Sequence, residues 1–163
     1  MKKELDEYLC KTYPKMMVNR NKDMQETCMC WGFECGDGWF NILNQLMGNI
    51  QHHIDWKNRK EEVVSQVTLD QVKEKFGTLR FYYTGGDEYI SGLVSMAESM
   101  SGVTCESCGN PAGVQNNSGW MRAICDPCET KREEEHAKRT AEYDALRQER
   151  ERARVMKAEG HEE

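Results

Sequence analysis

Two pairs of cysteines constrain this chain more than any other feature. Cys105-Glu106-Ser107-Cys108 and Cys125-Asp126-Pro127-Cys128 are Cys-x-x-Cys knuckles separated by sixteen residues. A hairpin of that length brings four thiolates together tetrahedrally, the arrangement of a zinc ribbon. Gly109 follows the first knuckle, where a residue free to take positive φ lets backbone N–H groups turn toward sulfur, and Pro127 stiffens the second. Between them, Asn116-Asn117-Ser118-Gly119 and then Trp120 to Ile124 read as a turn followed by a strand. One structural zinc on Cys105, Cys108, Cys125 and Cys128 is the expected cofactor. The same spacing also suits a rubredoxin-type iron or two disulfides, and spacing does not separate zinc from iron.

A reducing compartment favours metal over disulfides. Met1-Lys2-Lys3 is followed by Glu4, Asp6 and Glu7 rather than an apolar run. The expectation is therefore a chain without a secretory leader or membrane span, in the cytoplasm. Of 163 residues, 38% are hydrophobic and 31% charged, and mean hydropathy is -0.83. Apolar residues this sparse cannot be spread evenly through one large core, so part of the chain must be extended. The formal net charge is -6, and four thiolates around a dication bring it to about -8. That balance opposes generic nucleic-acid binding, which depends on phosphate neutralisation.

The predicted fold class is α+β: a small helix-hairpin-helix core, an attached four-cysteine zinc ribbon and a long polar C-terminal helix. Residues 1–30 read as a variable lead-in, with a short helix over 2–12 around Leu5, Tyr8 and Leu9 and a polar, aperiodic stretch from Lys15 to Thr27. Residues 31–128 hold the core and the ribbon, the latter at 103–128. Asp37 is a suitable N-cap for a helix whose face is Trp39, Leu43, Leu46, Met47, Ile50 and Ile54. His52 and His53 point about 100° apart on that helix and read as solvated surface. Val63 to Val72 and Thr78 to Tyr83 suggest two strands turning near Lys75-Phe76-Gly77, with Leu79, Phe81 and Tyr83 inward and Arg80 outward. Gly85-Gly86 ends the hairpin, and Asp87 caps a second helix carrying Ile90, Leu93, Val94, Ala97 and Met100 and stopped by Gly102. Residues 129–163 are dominated by Glu, Lys, Arg and Ala, with Tyr143, Leu146, Val155 and Met156 as the sizeable apolar residues. They predict an exposed helix with few ion pairs, Glu135 with Arg139 among them. A partner-docking helix is the other reading of that segment.

Three stretches in this order carry a resemblance: Gly32-Phe33-Glu34-Cys35-Gly36-Asp37-Gly38-Trp39-Phe40, Val72-Lys73-Glu74-Lys75-Phe76-Gly77-Thr78-Leu79-Arg80-Phe81-Tyr82, and the four-cysteine ribbon with Gly119-Trp120. Over residues 31 to 128 the chain resembles a widespread group of small tailed-bacteriophage proteins to which no activity is attached. The resemblance implies an accessory viral protein in a bacterial cytoplasm and carries over no reaction or substrate. Cys28 and Cys30 fall outside the shared pattern.

No catalytic constellation stands out: there is no Gly-rich phosphate loop before a helix, no nucleophile elbow and no His-Glu-x-x-His pair, and His136 and His161 lie in the tail. A four-cysteine zinc is coordinatively closed and lacks the open position of a hydrolytic one. Glu34 with Asp37 is a carboxylate pair that capping by Asp37 half explains. Cys28, Cys30 and Cys35, with Cys10, His52 or His53, form a candidate second metal site without a recognised spacing. The expected ligand or partner surface is basic and aromatic: Lys73, Lys75, Arg80 and Tyr82 on the hairpin, Trp120 and Arg122 on the ribbon. The preferred expectation is a non-enzymatic protein that binds a host or viral protein. The alternative is a binder of a nucleotide or single-stranded nucleic acid, in which Arg and Lys clasp phosphate and Tyr or Trp stacks a base.

Overall fold

The computed structural model describes residues 1–60, 62–117 and 119–159. Ser118 of the expected turn, the Val155 and Met156 side chains and His161 lie outside the described residues. By internal contacts the chain divides into one unit from Met1 to Cys125 and a second from Asp126 onward.

In the first unit, α1 (Lys3–Thr12) is followed by β1 (Phe33–Glu34), α2 (Phe40–Arg59), β2 (Thr68–Lys75), β3 (Thr78–Thr84), α3 (Glu88–Ser101), β4 (Val114–Asn117) and β5 (Trp120–Ala123). This is a mixed α+β fold. β1, β2 and β3 form one sheet in that order, and β4 with β5 forms a second. β1 runs parallel to β2, and β2 and β3 form an antiparallel hairpin. All six expected inward residues of the first long helix, from Trp39 to Ile54, are buried, together with Leu69, Val72, Leu79 and Phe81 of the sheet and Ile90, Val94 and Ala97 of α3. These residues share one core. Burial of each large apolar side chain stabilises it by roughly 1.5–3 kcal/mol.

Several local readings are corrected. The strand expected from Val63 begins only at Thr68. Val63 is exposed, and Val64 is held by Asn58, whose side chain accepts its N–H at 2.8 Å. The register shifts between Leu69 and Gln71, so Asp70 bulges and both Leu69 and Val72 face inward. Asp37 caps no helix: its Oδ1 accepts the Lys2 backbone N–H at 2.7 Å, while α2 starts after a 3-10 turn over Asp37–Trp39. Asp87 does cap α3, accepting the Ile90 N–H at 3.1 Å. His53 is not solvated surface. Its side chain is 11% exposed, its Nε2 lies 2.8 Å from Asp87 Oδ2, and its ring stacks on Tyr89 at 4.4 Å.

The lead-in also does more than precede the fold. Leu9, Met16, Met17 and Met29 are buried in the core, and Leu69 donates its N–H to the Met16 carbonyl at 2.9 Å. Asp6, itself buried, accepts the Phe33 N–H at 3.1 Å and pairs with Arg20 at 3.0 Å. A buried carboxylate needs such partners, and these tie α1 to β1 and to the loop around Arg20.

In the second unit, α4 (Asp126–Glu159) is one helix of 34 residues. Its described side chains are exposed beyond its first two turns, including Tyr143 and Leu146. Arg132 pairs with Glu129 at 2.6 Å and Lys131 with Glu135 at 4.0 Å, so Glu135 turns back toward Lys131 rather than forward to Arg139. No described helix is long and apolar enough to cross a membrane.

Candidate functional site

The two knuckles are brought together by local backbone chemistry. Cys105 donates its N–H to the Asn110 carbonyl at 2.7 Å and Gly109 returns its own to the Cys105 carbonyl at 2.8 Å, closing a tight loop. Gly109 has φ of 80°, but its N–H meets that carbonyl rather than a sulfur. Glu106 donates its N–H to Ala123 at 2.8 Å, joining the loop to the end of β5. β4 and β5 pair from Val114 with Ala123 to Asn117 with Trp120. The sulfurs of Cys105, Cys108, Cys125 and Cys128 all lie within 4.8 Å of one another, and Cys108 Sγ is 3.6 Å from Cys125 Sγ.

This donor set can hold one metal ion. Four sulfurs around zinc, each about 2.3 Å away, stand about 3.8 Å apart, so small side-chain rotations complete the tetrahedron. Burial of Cys105 opposes its ionisation, but N–H groups of Cys125, Cys108 and Ser107 and the Cys108 thiol point at its sulfur and bring its pKa down to about 7. A thiol poised in this way meets a cation as thiolate. Among the described residues no second group of metal-binding side chains assembles. Burial pushes the Cys35 thiol up to about 12, and the Cys30 thiol donates to the Thr27 carbonyl. The expected second site is therefore not formed there.

The Gly32–Phe40 stretch cradles the knuckle. Gly38 donates its N–H to the Glu106 carbonyl at 2.7 Å, Gly36 to Glu106 Oε1 at 2.8 Å, and Trp39 Nε1 to the Thr104 carbonyl at 2.9 Å. A Cβ at Gly36 would run into the Glu106 backbone and one at Gly38 into the Cys105 carbonyl. Burial raises the Glu106 pKa, the Gly36 N–H lowers it, and the nearby charges of Glu74 and Arg122 act in opposite directions.

The Val72–Tyr82 stretch reaches the ribbon through the hairpin tip. A Cβ at Gly77 would lie 2.7 Å from Val114 Cγ1 and 3.2 Å from the Arg122 backbone, so only glycine fits there. Glu74 Oε1 accepts the Gly77 N–H at 2.6 Å.

The expected basic-aromatic surface splits in two. On the outer face of the β2–β3 hairpin, Lys73 pairs in register with Arg80, and its Nζ lies 5.6 Å from the Tyr82 ring centroid. Arg80 is half-buried there, its Nη1 bonded to Thr78 Oγ1 and the Leu79 carbonyl, both at 2.7 Å, while Glu34 of β1 stands beside Lys73. Glu34 Oε2 accepts from Gln71 and Asp37 pairs with Lys2, so these carboxylates are each engaged separately. At the tip, a groove of about 440 Å³ is lined by Glu74, Lys75, Phe76, Trp120 and Met121 over Asn116 and Gly119. Arg122 stacks on Trp120 at 5.5 Å. Phe76, which sequence reasoning placed only near the turn, is 65% exposed beside a Trp120 that is 61% exposed. An aromatic where the following Gly77 marks a two-residue turn was the available signal.

Comparison of the chain with family models, with curated proteins and with solved structures finds no match.

Proposed function

We propose that this is a zinc-ribbon accessory protein of a tailed bacteriophage that binds a host or viral protein rather than catalysing a reaction. The observation that carries this reading is the groove where hairpin tip and ribbon meet, with two large aromatic side chains held out of the core on a rigid frame. The four-sulfur cluster supports zinc in a closed, structural role. The phage assignment rests on the two glycine-bearing motifs, whose Gly36, Gly38 and Gly77 are the residues against which the ribbon packs. A helix-hairpin-helix core with this ribbon attached supplies the platform.

The test is affinity purification from phage-infected cells with proteins and small molecules both identified, repeated with Trp120→Ala. A specific protein recovered with the wild type and lost with the variant supports the reading. Turnover of a copurifying compound would overturn it.

A second reading places a nucleotide or single-stranded nucleic acid on the outer hairpin face, favoured by Lys73 over Tyr82 and beside Arg80. The engaged Arg80 and the neighbouring Glu34 weigh against it. Binding of oligothymidylate that falls steeply with salt and is lost in Arg80→Ala would favour this second reading.

A further inference from the structure

We infer that the groove at the hairpin tip takes an acidic peptide segment of the partner, which inserts an aromatic or large apolar side chain beside Phe76 and Trp120. This rests on the protein-binding reading above and specifies its chemistry.

The first argument comes from the turn. Lys75 pairs with Thr78 across a two-residue loop in which Phe76 has φ of 55° and Gly77 φ of 77°. Positive φ at both positions is the pattern of a type I′ turn, which favours Asn-Gly. A bulky aromatic in the left-handed region is a true outlier, and here the side chain stays 65% exposed. Backbone strain kept for so little packing points to a role outside the fold.

The second argument is charge and shape together. Lys75 Nζ lies 5.5 Å from the Phe76 ring centroid and the Arg122 guanidinium the same distance from that of Trp120. Each aromatic wall thus carries a cation over its ring. Glu74, the carboxylate among the lining residues, is turned to the Gly77 N–H. The groove is largely apolar within, and around it Lys75 and Arg122 stand against Glu74, whose Oε1 is already engaged, which complements an apolar side chain flanked by carboxylates. A nucleic-acid strand would need a run of cations along its backbone, whereas this groove has Lys75 in its lining and Arg122 against its Trp120 wall.

The third argument is rigidity. Gly77 is buried against Val114 and Arg122, so the tip is braced on the ribbon and Phe76 is presented without a loop to order on binding.

The experiment pans the zinc-loaded full-length protein against a random peptide display library. An enriched synthetic peptide is then titrated by fluorescence anisotropy, with oligothymidylate as competitor. Peptides carrying an aromatic or large apolar residue between Asp and Glu should be enriched. Affinity should fall at least about tenfold in Trp120→Ala and in Phe76→Asn, and Arg122→Glu should weaken binding and flatten its salt dependence. Phe76→Asn should melt at or above the wild-type temperature, a split between stability and binding that a structural role for Phe76 would not produce.

Enrichment of neutral or basic peptides, or binding that survives Trp120→Ala, would overturn the inference, and displacement by oligothymidylate would reassign the groove to nucleic acid. A protein partner that tolerates Phe76→Asn and Lys75→Glu would sink the groove while leaving the broader reading intact. Recovery of no protein partner at all would sink that reading first.

Discussion

The two antiparallel hairpins of the first unit are supported in different ways. The β2–β3 hairpin buries Leu69, Val72, Leu79 and Phe81 and gains a third strand from β1, whereas the only buried described side chain of β4 and β5 is Ala123. A bare two-stranded hairpin is marginal in water. In place of burial the ribbon has a four-cysteine group able to hold a metal ion and the backbone contacts of Gly38 and Gly77. Trp120 and Met121 remain exposed, which fits the proposal that metal holds this hairpin, since a hairpin folded by metal need not bury its large side chains.

The largest effect should come from removing the metal. Cys108→Ser, or a strong chelator, forfeits binding energy on the order of 10 kcal/mol in modules of this kind, and that energy is folding energy. Hydrogen exchange should show residues 105–125 losing protection while α2 and the β2–β3 hairpin keep theirs. Native mass spectrometry should find one zinc in the wild type. If metal-free protein shows an unchanged thermal transition, the contrast between the hairpins collapses.

The complementary break is Leu79→Ala. Leu79 is fully buried, and its N–H is held by Ser101 Oγ at 2.8 Å. Truncation should cost about 3 kcal/mol by chemical denaturation, with metal content unchanged. Loss of zinc in this variant would show that the two hairpins fold as one cooperative unit.

A smaller effect probes the helix that follows the first hairpin. Asp87→Ala removes the cap of α3 and the His53 contact and should cost about 1 kcal/mol. Burial pushes the Asp87 pKa up, but the hydrogen bonds from His53 and the Ile90 N–H, with the charges of His53 and Lys57, outweigh it and hold the carboxyl below its ordinary 3.8. Its folded pKa is therefore lower than its unfolded one. The stabilisation is present above the unfolded value and is lost as pH falls through the folded one. The melting-temperature gap between wild type and Asp87→Ala should narrow as pH drops below 3.8. A gap that stays constant to strong acid would remove Asp87 ionisation from the account.

Much of this organisation was legible because its signals are local. The knuckle spacing, the period of Leu43, Met47, Ile50 and Ile54, the alternation of Leu79 and Phe81 and the cap before Ile90 each act within a few residues. What escaped the sequence depends on contacts made at long range. β1 is two residues long and exists because Phe33 and Glu34 find Val72 and Lys73. Met16 and Met17 carry no periodic signal, yet pack beneath β2 once Met16 accepts the Leu69 N–H. His53 reads as surface until a carboxylate from the start of α3 reaches it. At the site, the four cysteines were visible in the spacing, while the Phe76 groove depends on Gly77 meeting Val114, a contact no local pattern encodes.

The smallest effect tests whether the ribbon needs anything beyond metal and glycine contacts. Past its first turns α4 exposes its described side chains, and an exposed Lys131–Glu135 pair is worth only a few tenths of a kcal/mol. Glu129 differs: it is buried and held bidentately by Arg132, with bonds of 2.8 and 2.6 Å. A cut after Glu129 would remove that arginine and both of its bonds to the buried carboxylate, and should lower stability more than a cut further along the helix. A cut after Glu133 keeps the pair and should change stability by less than about 0.5 kcal/mol, with full zinc retention. Denaturant melts of the two truncations side by side make the test specific. If the longer form loses zinc or stability, residues beyond 133 support the ribbon, and its independence from burial is not the whole of its difference from the β2–β3 hairpin.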